Sequence, residues 1–198
     1  GACPRGQPLS GPADARPMPG PAMLPGMTAI HLTLITGSSR GLGAALVAQR
    51  LLPGHAVLGL ARQQNAMLQA QADAADLTLT QWPVDLADAG PVAQNLAQWL
   101  KRQDAGALAS VSLINNAGVV GTLAPLDRVP PADIVQGLRV GLEAAMLLTA
   151  AFLDATRDWP VPRRVMNISS GLGRQAMAGS AVYCAAKAGM DHFSRAVA

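Results

Sequence analysis

Residues 32 to 52 constrain the fold more than any other stretch of the chain. An apolar run, Leu32-Thr33-Leu34-Ile35, leads into Thr36-Gly37-Ser38-Ser39-Arg40-Gly41-Leu42-Gly43, and this glycine-rich segment opens a helical pattern through Leu42, Ala45, Leu46, Ala48, Leu51 and Leu52. Strand, glycine turn and helix follow in the order of a βα unit. Glycines let backbone N–H groups approach an anion, and the helix N-terminus adds partial positive charge, so the unit suits a pyrophosphate.

The rest of the sequence repeats the alternation. Strand-like runs fall at Leu32 to Thr36, Ala56 to Leu60, Leu77 to Val84, Val111 to Asn115 and Arg164 to Ile168. Helical patterns lie between and after them, at Gly41 to Leu52, Gln63 to Asp73, Pro91 to Arg102, Pro131 to Thr156 and Ala178 to Ala198. Strand and helix in turn predict an α/β fold, a doubly wound, Rossmann-like parallel sheet with its ligand at the carboxyl ends of the strands. Half of the residues are hydrophobic and 14% are charged, enough to build one well-cored domain. Residues 1–26 stand apart, with seven prolines, five glycines and no apolar period, and are expected to be a disordered tail. The folded domain then spans 27–198, with Met27 as a candidate natural start.

Several function classes lose support. The longest clean apolar stretch, Ala144 to Leu153, is ten residues long and bracketed by Glu143 and Asp154, which is too short to cross a bilayer. The net charge of +3 is spread without a basic run or interleaved aromatics, so no nucleic-acid partner is expected. Cys3 and Cys184 are the only cysteines, which argues against a disulfide framework and for a cytoplasmic protein. His31, His55 and His192 have no spacing that suggests a metal site, and no metal is expected.

A second constellation lies near the far end. Tyr183 and Lys187 share a helix face at i, i+4, and Ser170 precedes the tyrosine by thirteen residues at the end of an apolar run. An ammonium beside a phenol favours the phenolate, and the pair reads as a device for moving a proton.

Together these residues resemble the short-chain dehydrogenase/reductase family, in its compact single-domain branch. The pieces are Thr36-Gly37-x-x-x-Gly41-x-Gly43, Asp85-Leu86 after the third strand, Asn115-Asn116-Ala117-Gly118 after the fourth, Asn167-Ile168-Ser169-Ser170 after the fifth, and Tyr183-x-x-x-Lys187. The match runs from about Met27 to the last residue. The surroundings of Tyr183 look most like the sepiapterin reductase and benzil reductase subgroup.

The resemblance implies a nicotinamide cofactor and a small-molecule carbonyl substrate. Tyr183 would give a proton to the carbonyl oxygen, Lys187 would steady the tyrosine's charge and hold the nicotinamide ribose, and Ser170 would hydrogen-bond the substrate oxygen. Thr36, Gly37, Ser39, Arg40, Gly41, Leu42 and Gly43 would cradle the dinucleotide. Asp85 would lie near the adenine, with Asn115, Asn116, Ala117 and Gly118 along the adenosine. Cofactor choice follows from charge: no acidic residue stands at the end of the second strand, whereas Arg62 there and Arg40 in the glycine turn suit the 2′-phosphate of NADP(H). The resemblance also implies a homo-oligomer built on the long helices.

Two features depart from the family pattern. The long helix before the fifth strand usually carries an asparagine that bends it around a water; Gly141 stands at that place, and no asparagine occurs between Ala117 and Met166. The sequence also reads as truncated at its C-terminus, inside the helix that carries Tyr183, where members continue with further strands and a substrate cover. The expected function is NADPH-linked reduction of a small ketone, diketone or pterin-like carbonyl. A 3-oxoacyl-thioester reductase and a non-catalytic dinucleotide-binding protein or inactive fragment remain alternatives.

Overall fold

The computed structural model describes residues 29–198, and the readings for the 1–26 tail, for Cys3 within it and for Met27 lie outside the described residues. Five strands form one sheet: β1 (Ile30–Thr36), β2 (His55–Ala61), β3 (Thr78–Pro83), β4 (Leu108–Asn115) and β5 (Arg163–Asn167). All neighbours are parallel, in the order β3-β2-β1-β4-β5. The order reverses at β1, so the carboxyl ends of β1 and β4 part company with their crossovers and leave a crevice for a ligand. This is the doubly wound sheet that the alternation predicts.

Strands buried on both faces should read as continuous apolar runs, and the central ones do. Leu32, Leu34, Leu58, Leu60, Val111 and Leu113 point to one side of the sheet, where they meet Leu96, Trp99 and Leu100 of α3 (Ala89–Lys101) and Leu148 and Phe152 of α5 (Ala144–Ala155). Trp82 of β3 packs edge-on against Trp99, with ring centroids 5.8 Å apart. Ile35, Val57, Leu79 and Ile114 point to the other side, against Val47 and Leu51 from α1 (Gly41–Arg50) and its end, and Leu68 and Ala72 of α2 (Ala66–Ala74). Each such side chain removed from water is worth about 1.5–3 kcal/mol. In the described residues β5 pairs only with β4, and its sequence Arg163-Arg164-Val165-Met166-Asn167 is correspondingly polar, with Met166 half exposed.

Most boundaries shift by one to three residues from those expected, and three of the differences bear on the site. Helix α2 starts at Ala66 rather than Gln63, because the Asn65 side chain accepts the N–H of Leu68 and caps the helix there. The last helix, α6 (Ala181–Ala196), begins after Ser180 rather than at Ala178. The long helix expected over Pro131 to Thr156 is interrupted: α4 (Pro131–Leu138) and α5 are joined by a π-helical turn at Arg139–Glu143, with Gly141 buried inside it. A wider turn inside a helix bends it, and such turns recur at functional sites.

The glycine turn depends on close backbone approach. Gly37 takes a φ of +66°, and a Cβ on Gly43 would lie 2.0 Å from the Gly37 carbonyl oxygen. Helix α1 therefore rests directly on the turn that precedes it. Overpacking of this kind costs roughly 1–3 kcal/mol, more than the ~1 kcal/mol that alanine gains over glycine in a helix. Gly43→Ala is expected to lower unfolding stability by about 2 kcal/mol in a urea titration; an unchanged midpoint would show that the turn can move aside.

Candidate active site

A cleft of about 660 Å³ opens over the carboxyl ends of β1, β2, β3 and β4. Gly37, Ser39, Arg40, Gly41, Leu42 and Gly43 form one wall; Ala61, Arg62, Gln63, Val84, Asp85 and Leu86 form another; Asn116, Ala117, Gly118 and Val119 close the end nearest α6. Eleven of the sequence-selected positions line it, although they come from four separate connections.

Helix α1 presents an open amino end to this cleft. Its N-cap residue is Arg40, no side chain caps it, and its first turn carries no acidic residue. The first N–H groups of a helix lack intrahelical partners, so this end retains donors and partial positive charge for an anion. Arg40 and Arg62 are both exposed and line the same cleft. Asp85 is exposed, its carboxylate accepting the Ala87 N–H at 2.9 Å and heading a short turn in which Leu86 is buried.

Of the residues expected at the cofactor site, Thr36, Asn115, Tyr183 and Lys187 are not among those that line the cleft, and Ser170 is not either. The buried Thr36 hydroxyl accepts the N–H groups of Asn116 and Ala117, each at 2.9 Å, and the Asn116 side chain donates to the Thr36 carbonyl at 3.0 Å. Thr36 thus ties β4's end to β1's. The Asn115 amide is buried beneath, donating to the Thr149 hydroxyl at 3.0 Å and to Asn167 Oδ1 at 2.8 Å. Asn167 in turn donates to Ser194 of α6, whose hydroxyl donates to the Met190 carbonyl. One run of hydrogen bonds therefore links β4, β5, α5 and α6. The Thr36 hydroxyl and the Asn115 amide nitrogen are thus engaged in cross-strand bonding, while Asn115 Oδ1 is buried without a partner.

Lys187 is 4% exposed and donates to the Ile168 carbonyl at 2.6 Å. Its ammonium lies 5.7 Å from the centre of the Tyr183 ring, and a Cβ on Gly118 would approach it to 3.7 Å. The lysine thus stands at the inner end of the cleft, beside the tyrosine. An ammonium has three donors, so two remain beyond the bond to Ile168. Ser170 accepts the Leu172 N–H at 3.2 Å, which occupies its oxygen and leaves its own O–H to donate. The short turn it heads, Gly171–Gly173, is pressed onto α6: a Cβ on Gly173 would lie 2.9 Å from the Lys187 carbonyl oxygen and from Asp191. Ser169, the neighbouring hydroxyl, is buried and without a partner.

The π-helical turn packs against the same helix. A Cβ on Gly141 would sit 3.1 Å from Ala186 Cβ, next to Lys187, and one on Gly137 would sit 2.6 Å from Val182, next to Tyr183. Missing side chains let α4 and the π turn approach α6 closely. A side chain at 141 would crowd Ala186, and the interruption of the helix is the π-helical turn itself.

Other expectations take their places away from the cleft. His31 and His55 pair at the opposite, amino ends of β1 and β2, with ring centroids 5.0 Å apart. Among the described residues no cluster of three His, Cys, Asp or Glu side chains could hold a metal, and no helix is long and apolar enough to cross a membrane. Asn65 and Gln81 escaped the sequence reading. The signal for Asn65 was its place before Ala66-Met67-Leu68, an N-cap position; Gln81 gave none.

The short chain dehydrogenase family model matches residues 31–198. Benzil reductase ((S)-benzoin forming) from Bacillus cereus is 33% identical over 169 residues, covering 85% of this chain and 68% of the relative. Sepiapterin reductase from Meriones unguiculatus is 31% identical, covering 83% and 67%. Among solved structures, a metagenomic short-chain oxidoreductase in complex with NADP superposes with a TM-score of 0.74 at 29% identity, covering 85% of this chain and 75% of that one. The chain spans about two thirds of the length of these curated relatives.

Burial holds the Lys187 ammonium below its ordinary value of 10.5, and the charge of Asp191 opposes this only in part. The unfolded chain then binds more protons between the lowered value and 10.5, so stability rises with pH across that window and the cost of burying the charge is present in full below it. Lys187→Met is expected to raise the urea midpoint at pH 7, with the gap to the unaltered chain narrowing as pH approaches 10.5. A midpoint that falls at pH 7 would show that the bond to Ile168 outweighs the desolvation.

Proposed function

This chain belongs to the short-chain dehydrogenase family, oxidoreductases that use a nicotinamide dinucleotide, and from that premise we propose that it is an NADPH-dependent reductase of a small ketone, diketone or pterin-like carbonyl. The observation that carries the reading is the placement of the Lys187 ammonium against Gly118, at the end of the cleft that the glycine turn and two arginines line. Groups more than a hundred residues apart in sequence are brought to one site. Relatives named for benzil and sepiapterin reduction support the substrate class.

The residues fit such a cofactor. The open end of α1 and the backbone of Gly37 to Gly43 would hold its pyrophosphate, Arg40 and Arg62 the 2′-phosphate, Asp85 and Leu86 the adenine side, and Asn116 to Gly118 the adenosine. When bound, the dinucleotide supplies hydride. Tyr183 would deliver the proton to the carbonyl oxygen and Ser170 would donate a hydrogen bond to the same atom, so that the developing charge meets two donors. The two remaining donors of Lys187 would hold the ribose, and its positive charge would favour the phenolate left on Tyr183. The proposal takes 27–198 as one cytoplasmic domain that pairs with a second copy along α4 and α5, where Val135, Leu138, Met146 and Leu147 are exposed apolar side chains.

Tyr183→Phe is expected to lower the rate of NADPH oxidation with a diketone by at least ~100-fold, with NADPH affinity kept. Binding of NADPH without turnover across diketones, pterins and acyl thioesters would instead leave a dinucleotide-binding protein. Arg40→Ala and Arg62→Ala should each weaken NADPH by roughly tenfold in a fluorescence titration and leave NADH unchanged. Equal affinity of the unaltered chain for NADH and NADPH would refute the choice of cofactor.

A further inference from the structure

The two arginines sit on separate connections, Arg40 after β1 and Arg62 after β2, and both are exposed. Long, solvated side chains on independently moving loops would have to be ordered by the ligand, at a cost in affinity. One residue ties these loops together. Asn65, three positions beyond Arg62, donates from its side-chain amide to the carbonyl of Ser39, the residue before Arg40, at 2.9 Å. Its amide oxygen accepts Leu68 N–H at 3.0 Å and caps α2. Both ends of the amide are thus engaged, and it cannot turn away from Ser39 without uncapping the helix.

The backbone of Asn65 is fixed as well. Its N–H donates to Gln81 Oε1 at 2.7 Å, and its carbonyl accepts Gln81 Nε2 at 3.2 Å. Gln81 lies within β3, in register with Gly59 of β2, so the clamp is anchored on the sheet rather than on another loop. The same amide also donates to Gln69 of α2 at 3.1 Å, and the Gln81 carbonyl accepts from Gln64 at 3.2 Å. On the other side, Ser38 is seated over Gly59, where a Cβ would lie 2.6 Å from the serine oxygen. Both ends of the bridge are therefore held.

We propose that Asn65, braced by Gln81, is a positioning residue for 2′-phosphate recognition: it locks the Arg40 loop to the Arg62 loop so that both guanidiniums address one phosphate dianion. Asn65 touches no part of the cofactor in this role and acts through the arginines. The inference rests on the NADPH reading. A purely structural cap would stabilise α2 without regard to which dinucleotide is bound; a clamp between the two cations acts on the phosphorylated one alone.

Asn65→Ser separates these roles, because serine keeps a helix cap but is too short to reach the Ser39 carbonyl. In fluorescence titrations of the full chain, NADPH affinity is expected to fall by roughly fivefold to tenfold and NADH affinity to stay within about twofold. In an Arg40→Ala/Arg62→Ala background the same substitution should change NADPH affinity by less than about twofold, since nothing is left for it to position. Asn65→Thr, also a helix cap and also too short to reach the Ser39 carbonyl, supplies a second variant and should lose about as much. Parallel weakening of both dinucleotides, or an unaltered preference for NADPH in both variants, would overturn the clamp while leaving the cofactor reading intact. An unaltered chain that shows no preference for NADPH would remove both.

Discussion

Everything at the cleft depends on the lashing of β1's end to β4's by Thr36. A single buried hydroxyl accepts two consecutive N–H groups, from Asn116 and Ala117, while Asn116 returns a bond to the Thr36 carbonyl. These bonds close the sheet where its strand order reverses, and buried backbone donors left open there would cost about 1–3 kcal/mol each. The lash also sets the level of both walls. Gly37 follows Thr36 directly, and Gly118 follows Ala117, so the turn that faces phosphates and the segment that meets Lys187 descend from the same knot.

From that knot the structure builds outward by satisfying polar groups in pairs. Asn115, one residue before, sends its amide to Thr149 and Asn167, and through Asn167 and Ser194 the bonding reaches α6. Helix α6 is thereby held at the height that lets Lys187 reach the Ile168 carbonyl. The glycines at 137, 141 and 173 complete the docking by allowing backbone approach where any Cβ would meet a neighbour at 3.1 Å or less. Burying an ammonium among such elements is unfavourable for stability. It is tolerated because the charge keeps one carbonyl partner and is offset in part by Asp191.

Much of the fold was legible because its signals are local. An apolar run followed by glycines and a helical period can be read without knowing what lies next to it, and all five strands appear within a few residues of their expected places. The glycine turn, Arg62 and the Asn116 to Gly118 segment were legible for a similar reason, since they sit in the connections that follow strands in sequence. The π-helical turn was not, because nothing in Arg139-Val140-Gly141-Leu142-Glu143 distinguishes it from a continuous helix until α6 packs against Gly141. Gln81 was illegible as well: a glutamine in a strand carries no signal until its neighbour across the sheet edge is known.

The sequence by itself determined the alternation of strands and helices, the glycine turn, the cations beside it and the Tyr183 to Lys187 spacing, because each is a property of residues within one turn or one strand of each other. Only the tertiary structure decided that Thr36 ties the end of β1 to that of β4, that Asn115 bonds to Thr149 and Asn167, and that Lys187 is buried against the Ile168 carbonyl. It alone decided that Asn65 joins the loops of the two arginines. Those outcomes turn on which hydrogen-bond donor finds which acceptor across 19 to 81 residues of chain, and that is set by strand order and helix docking, not by the neighbours in sequence.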